Sequence, residues 1–316
     1  MTALLPSGYI VRSPAMTDVQ GVTDLIAACD IADYGSTDVS VEEVQDYWEV
    51  PRFELQQDAR IVIAPDGLIV GYEEVCPRGE GRLDFDGYVH PREAGCGLGT
   101  LLIRWAEERA RQRIAEMPPT GQIILRGNTA SVDQRAGTLF NAEGFARVRQ
   151  FWRMEIEMTS PPDRAAWPAG ISVRTMRLDR DERLVYATIE EAFADHWGHV
   201  PRSFEDWAQD VIQSNGFDST LTFMAFDGRE VAGVVVNRHR DIAWVGQLAV
   251  RRAWRKRGLG LALLLHSFDE FYRRGDRTVG LGVDAQSLTG ATRLYEKAGM
   301  QVTRRFDTYA KILREA

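Results

Sequence analysis

Leu261, Leu264, Leu265, Phe268 and Phe271 recur at three- and four-residue intervals. That spacing lines one face of an amphipathic helix. Upstream, Ile242 to Val250 is an apolar run of strand length, followed by a basic turn from Arg251 to Arg257 and the triplet Gly258-Leu259-Gly260. A strand, a glycine turn and a helix N-terminus in this order make a place for phosphate. The first helical N–H groups have no internal acceptor, the helix dipole favours an anion there, and glycine lets backbone approach a ligand closely. A P-loop is excluded because no Gly-x-x-x-x-Gly-Lys-Ser/Thr is present, and a dinucleotide fingerprint lacks its third glycine because position 263 is Leu.

The same order of elements is written twice. Ile10-Val11-Arg12 matches Ser172-Val173-Arg174, Asp66-Gly67 matches Asp227-Gly228, and Ala94 to Gly99 matches Arg255 to Gly260. Leu139-Phe140 with Glu143-Gly144-Phe145 matches Leu294-Tyr295 with Ala298-Gly299-Met300. The separation stays between 155 (Phe140 to Tyr295) and 162 (Ile10 to Ser172), which marks duplicated domains rather than a short solenoid repeat. Each half predicts an opening strand (Tyr9–Arg12; Ile171–Arg174) and a helix (Asp18–Ala28; Asp181–Ala194). Capping boxes at Ser40-x-x-Glu43 and Ser203-x-x-Asp206 start a second helix, and Asp66-Gly67 and Asp227-Gly228 turn hairpins. After the glycine loop and its helix come another strand (Gln122–Arg126; Thr278–Val283), a helix and a closing strand (Arg147–Met158; Val302–Leu313). The fold class is α/β, with two mixed, mostly antiparallel sheets flanked by helices. Thr159 to Asp163, with Pro168 and Gly170 beyond, reads as the linker, so the expected domains are 1–160 and 161–316.

At 316 residues the chain suits two domains. Its net charge of −8 disfavours general attraction to nucleic acid or membranes. The basic cluster Arg251 to Arg257 is short and has only Trp254 as a stacking aromatic, so a cofactor phosphate explains it better than nucleic acid. Cys29, Cys76 and Cys96 form no pairing pattern and fit a reducing compartment. The segment Met1-Thr2-Ala3-Leu4-Leu5-Pro6 lacks the marks of a signal peptide, and no apolar run reaches the roughly 20 residues of a membrane span. The expectation is a cytoplasmic protein, and the sequence leaves the oligomeric state open.

Arg255-Lys256-Arg257-Gly258-Leu259-Gly260 resembles the acyl-CoA pyrophosphate motif of the GCN5-related N-acetyltransferases, and Ala291 to Met300 is similar to that family's A-x-x-L-Y-x-x-x-G-F segment at the expected distance. The resemblance covers nearly the whole chain twice. It implies acetyl-CoA as co-substrate, no metal, and a small-molecule amine as acceptor. It implies that Arg255, Lys256, Arg257, Gly258, Leu259, Gly260 and Leu261 hold the pyrophosphate, and that Leu248-Ala249-Val250 runs beside the pantetheine arm on a strand that splays from its neighbour. It makes Tyr295 the general acid for the departing thiolate, a role suited to a phenol with an unperturbed pKa of about 10. The family often carries Asn seven residues before this Tyr, where Leu288 stands here, so Ser287, Thr289 or Gly290 is expected to take over that contact.

No motif fixes the general base; His239, Asp241, Gln247, Asp307 or a water chain are open. The loop Ala194 to Pro201 covers the acceptor site in the family, which makes His196 and Trp197, with Asp241, candidate substrate contacts. His-x-x-His at 196 and 199 lacks a third metal ligand, and His266 falls off its helix's apolar stripe and reads as exposed. In the first half Ala94 replaces Arg255 and Phe140 replaces Tyr295, so that domain is expected to be degenerate and non-catalytic. With no Cys or Ser placed as an acyl carrier, the expected reaction is direct attack in a ternary complex. The tandem layout is also similar to mycothiol synthases, which acetylate the cysteinyl amine of a pseudodisaccharide. From another class comes a non-catalytic acyl-CoA sensor, against which the retained Tyr295 argues.

Overall fold

The computed structural model describes residues 7–315 apart from 51, 80, 118, 119, 215, 240, 241 and 288. The first half contains β1 (Ile10–Arg12), α1 (Val19–Tyr34), α2 (Val41–Trp48), a short α3 (Leu55–Asp58), β2 (Ala59–Ile63), β3 (Ile69–Pro77), β4 (Arg82–Val89), α4 (Leu98–Ile114), β5 (Ile123–Ala130), α5 (Gln134–Ala142) and β6 (Ala146–Glu157). The second repeats the plan with β7 (Ile171–Thr175), α6 (Glu182–Phe193), α7 (Phe204–Val211), β8 (Phe217–Asp227), β9 (Glu230–His239), β10 (Ala243–Val250), α8 (Leu259–Arg274), β11 (Thr278–Asp284), α9 (Ala291–Lys297) and β12 (Gln301–Arg314).

Local chemistry sets the boundaries. The Ser40 and Ser203 hydroxyls accept from the Glu43 and Asp206 N–H groups at 3.2 and 3.0 Å, which caps α2 and α7 as their sequences predict. α1 runs past the predicted Ala28 and stops where Gly35 adopts a left-handed conformation with φ 78°. The hairpins turn at Gly67 and Gly228, both with positive φ.

The chain forms two compact units whose membership differs from the linear 1–160 and 161–316 division. One comprises residues up to Gln150 together with those from Arg305 on; the other is Phe151–Arg304. The closing strands are exchanged. β12 pairs antiparallel with β5, from Phe306↔Ala130 to Arg314↔Ile123, so unit 1 has the order β1-β2-β3-β4-β5-β12. β6 pairs antiparallel with β11, from Phe151↔Asp284 to Glu157↔Thr278, so unit 2 has the order β7-β8-β9-β10-β11-β6. Both sheets carry helices on both faces. In unit 2, Leu259, Leu263, Leu264 and Phe268 of α8 pack with Met154 and Val279 on one face. Val185, Ile189 and Trp207 of α6 and α7 cover the other. His266, read as exposed, is instead half-buried edge-on against Phe223, with ring centroids 4.5 Å apart. Among the described residues no helix is long and apolar enough to cross a membrane.

Candidate active site

β10 pairs with β9 along its whole length, with a register shift between Val245 and Gln247 that leaves Gly246 as an extra residue. That is a bulge, which bends the strand and leaves one residue outside the ladder. On its other side β10 runs parallel to β11, but only Ala243↔Val279 and Trp244↔Gly280 pair. From Val245 onward the strands part. Gly246 and Gly282, flanking the parting, are exposed, and a side chain at Gly282 would meet no atom within 4 Å. Leu248, Ala249 and Val250 lie on the parted stretch with Ala249 buried, so their backbone groups on the β11 side have no β11 partner. An extended ligand can hydrogen-bond such an edge as an added strand does.

β10 leads into a 3₁₀ turn, Arg252–Trp254, and then a backbone cradle. Lys256 (φ 62°) and Gly258 (φ 86°) are left-handed, after an extended Arg255 (φ −65°, ψ 156°); left-handed positions in a turn gather backbone N–H groups toward an anion. The first helical bond of α8 is Ala262 N–H to the Gly258 carbonyl at 3.0 Å, so the N–H groups of Leu259, Gly260 and Leu261 precede the ladder. A Cβ at Gly260 would stand 3.0 Å from Leu294 Cδ1, so this glycine lets α9 pack close to the α8 N-terminus. Leu259 anchors the turn in the core and Leu261 is half-buried beside it.

The basic side chains divide by partner. Arg255 donates to the Val250 carbonyl (3.1 Å), the Ala192 carbonyl (2.9 Å) and Asp195 (3.2 Å), so it ties the end of α6 to the turn. Arg252 donates to Asp195 and Arg251 to Glu191 (2.6 Å). These guanidinium groups, Arg252 before Arg255, hold the Asp195 carboxyl below its usual range. Lys256 and Arg257 are exposed and carry no partner among the described residues, which leaves them free to meet a phosphate. The sequence alone does not separate the pinned arginines from the free pair, because the partners lie some 60 positions upstream.

Tyr295 is half-buried on α9 against the core that supports α8. Burial pushes its phenol up to about 12, so it stays protonated throughout the neutral range. Its hydroxyl has no hydrogen-bond partner among the described residues. Asp241 and Leu288 lie outside the described residues.

The loop after α6 places His196 against Phe193, with ring centroids 4.2 Å apart, and Trp197 against Phe151, with centroids 6.3 Å apart. Phe151 pairs with Asp284 at the open end of β11, and Asp284 acts electrostatically on His196. Burial, then the Arg255 charge, pushes the His196 imidazole down, which keeps it neutral. His199 approaches Glu190 at 3.3 Å, and Gln247 accepts from the Trp207 indole at 3.4 Å. His239 is occupied elsewhere, by Asp276 at 2.7 Å. Asp307 belongs to unit 1, where Arg147 (2.7 Å) and Gln150 (2.8 Å) hold it. Sequence reading missed Gly246 and Asp284. An isolated glycine in a strand pattern is itself a bulge signal, and it was available at Gly246.

Unit 1 repeats the geometry of the turn but not the tyrosine. Gly95 and Gly97 have φ 86° and 84°, matching Lys256 and Gly258, and a Cβ at Gly99 would lie 2.8 Å from Leu139 as one at Gly260 would crowd Leu294. Phe140, at the place of Tyr295, is a core residue stacked on Tyr309 at 4.7 Å and on Phe85 at 5.6 Å. Phe140→Ala is therefore expected to cost about 3–5 kcal/mol of stability, whereas Phe140→Leu should keep the fold and leave turnover within about twofold of wild type. Thermal melts and a thiol-release assay on both variants check this.

Family comparison agrees with the duplicated plan. The model for the acetyltransferase (GNAT) family matches residues 22–120 and 183–300. A mycothiol acetyltransferase of Thermomonospora curvata is 32% identical over 238 residues, covering 74% of this chain and 76% of that one. The crystal structure of a GCN5-related N-acetyltransferase from Sphaerobacter thermophilus superposes with a TM-score of 0.89 at 39% identity, over 99% of this chain and 98% of the other. A tandem GNAT protein from the clavulanic acid biosynthesis pathway shares the fold, with a TM-score of 0.73 at 17% identity over 98% of this chain and 99% of the other.

Proposed function

The chain belongs to the acetyltransferase (GNAT) family, and from that premise we propose that unit 2 moves an acetyl group from acetyl-CoA to a primary amine of a small molecule by direct attack in a ternary complex. The observation that carries this reading is the combination of a bulged, parted β10 with a left-handed N–H cradle at its end. The cradle and the free Lys256 and Arg257 fit a pyrophosphate, and the backbone of Leu248 to Val250 fits the amide-bearing arm. Binding energy from that remote arm is available to orient the thioester. In this reading an N–H at the bulge stabilises the oxyanion that develops at the carbonyl.

The acceptor must lose a proton before it attacks. Neutral His196 is the ring beside the open end of β11 that is able to accept it. As the C–S bond breaks, the electron pair goes to sulfur and Tyr295 supplies the proton. Unit 1, with Phe140 and Ala94, is a non-catalytic copy. The relative from T. curvata favours a second reading of the acceptor, the cysteinyl amine of a pseudodisaccharide.

The test is thiol release from acetyl-CoA with a panel of amines: aminoglycosides, polyamines, amino acids, peptides and cysteinyl-glucosaminyl-inositol. One class should turn over, and CoA binding without any turnover would count against the transfer reading. Lys256→Gly with Arg257→Ala should raise KM for acetyl-CoA about ten- to a hundredfold while kcat changes little, because two charge-assisted phosphate contacts are lost but the reacting atoms are not touched. Glycine suits the left-handed backbone at 256, so the cradle itself survives this change. An unchanged KM would place the phosphates elsewhere.

A further inference from the structure

Unit 1 contains a cavity of about 310 Å³ between its sheet and the helices α1 and α2. Its walls are aromatic: Tyr47 and Trp48 from α2, Tyr72 from β3 and Tyr88 from β4. Set into them are the carboxyl groups of Glu74 and Asp86. In the antiparallel register of β3 and β4 these two residues stand directly opposite each other, so both side chains leave the sheet on the cavity face. Like charges facing across a pair of strands repel, and burying a carboxylate without a cation costs several kcal/mol, so folding gains nothing from this arrangement.

The surrounding bonds hold the two groups ready without neutralising them. The Trp48 indole donates to the Tyr72 hydroxyl at 2.7 Å and Tyr72 donates to Glu74, while Tyr88 donates to Asp86 at 3.4 Å. The nearby guanidinium groups have other partners, although Arg78 also lines the cavity. Arg82 pairs with Asp84 at 3.1 Å, and Arg78 lies over the Tyr47 ring and 3.7 Å from Asp84. Arg78 acts on Glu74 and Asp86 only from beyond ion-pair distance. The cavity also occupies a meaningful place in the duplicated plan. β4 and β5 pair from Arg82↔Ile124 to Phe85↔Gly127 and then part, so Asp86 stands at the mouth of the same opening that β10 and β11 form in unit 2.

We propose that this cavity is a binding site for a small organic cation, a protonated primary amine with an apolar body, whose ammonium group sits between Glu74 and Asp86 and whose carbon skeleton lies against the rings of Tyr47, Trp48, Tyr72 and Tyr88. Aromatic faces and carboxylates together are the chemistry that selects such a cation over a neutral isostere. The volume is at the small end of ligand sites, which fits a metabolite and excludes a macromolecule. Phe140 offers no proton, so the site binds without transferring. The inference does not depend on acyl transfer in unit 2.

Ionisation supplies a signature. Burial, then the Asp86 charge, pushes Glu74 up to about 8, and burial pushes Asp86 up to about 6. Other groups acting on the pair are Asp30 of α1, Tyr47 of α2, Tyr72 of β3, Arg78 just after β3, and Asp84 and Tyr88 of β4; Glu43 of α2 also lines the cavity. A cation favours the ionised carboxylates, so its arrival releases protons. Affinity must therefore rise with pH up to about 8 and fall only when the amine itself loses its charge, near an unperturbed pKa of about 10.

The experiment is a ligand-observed NMR titration of the full-length protein with tyramine and 1,4-diaminobutane, using 4-ethylphenol and 1-butanol as neutral counterparts. At least one amine should bind saturably and the neutral molecules should not, with affinity rising about tenfold between pH 6.5 and pH 8.5. The isosteric variants Glu74→Gln and Asp86→Asn should each weaken binding at least about tenfold, keep or raise the melting temperature, and leave thiol release in unit 2 unchanged. Absence of saturable amine binding would overturn the proposal, as would equal binding of the neutral counterparts. Amine affinity unaltered in both variants would place the cation at another site and overturn it too. Should a variant fail to fold, the pH dependence on wild-type protein decides alone: a flat profile rejects the carboxylate pair.

Discussion

Tyr295→Phe is expected to lower kcat for acetyl transfer by about a hundredfold to ten-thousandfold, the range that a positioned general acid contributes. KM for acetyl-CoA should stay near wild type, because the cradle of Lys256 and Gly258 and the free side chain of Arg257 are untouched. The melting temperature should also hold. The substitution removes one oxygen that has no partner among the described residues, and unit 1 already accommodates a phenylalanine, Phe140, at the equivalent helix position. The pH profile adds an independent reading. With the phenol pushed up to about 12 by burial, the acid stays protonated through the alkaline range, so the wild-type rate should not fall until pH approaches that value. Steady-state kinetics on both proteins across pH settle the matter. A loss of less than about threefold would mean that the thiolate takes its proton from water.

What the sequence discloses follows from how local each feature is. The glycine cradle is legible because its conformation needs particular residues at fixed neighbouring positions, and Gly95, Gly97 and Gly258 supply them in both halves. The capped helices α2 and α7 are legible for the same reason. Arg255 shows the opposite case. Its basic character suits a phosphate, yet its partners Asp195 and the Ala192 carbonyl arrive from a distant helix, and only the folded chain reveals that the charge is already committed. The cavity of unit 1 is hidden by a regular alternation. Arg82, Asp84 and Asp86 alternate with apolar residues along β4 as a solvent-facing row does, yet Asp84 and Asp86 line the cavity with residues of α1 and α2. The exchange of β6 and β12 is not legible because both strands end equivalent repeats and carry similar patterns, so either satisfies the edge of β5 or β11 by pattern alone.

That exchange leads to a large expected effect on stability. Cutting the chain at the linker, into 1–160 and 161–316, should yield two fragments that do not fold cooperatively. The first fragment lacks β12, which leaves the β5 edge unpaired, removes Tyr309 from its stack on Phe140 at 4.7 Å, and removes Lys311 from Glu107 at 2.7 Å. The second lacks β6, and with it the fully buried Met154 and the whole partner strand of β11. Losing a core side chain alone costs about 2–5 kcal/mol, and a domain's entire margin is about 5–15 kcal/mol, so loss of a paired strand together with its core residues exceeds what either unit is able to absorb. A chimera restores the balance: residues 7–150, a flexible glycine-serine linker, then residues 305–315 supplies unit 1 with its own closing strand. Far-UV circular dichroism melts of the three polypeptides distinguish the outcomes. Cooperative unfolding of the chimera, but of neither fragment, is expected. A 1–160 fragment that melts cooperatively near the temperature of the full chain would mean that β6 closes the β5 edge in place of β12, and the exchanged topology would have to be abandoned.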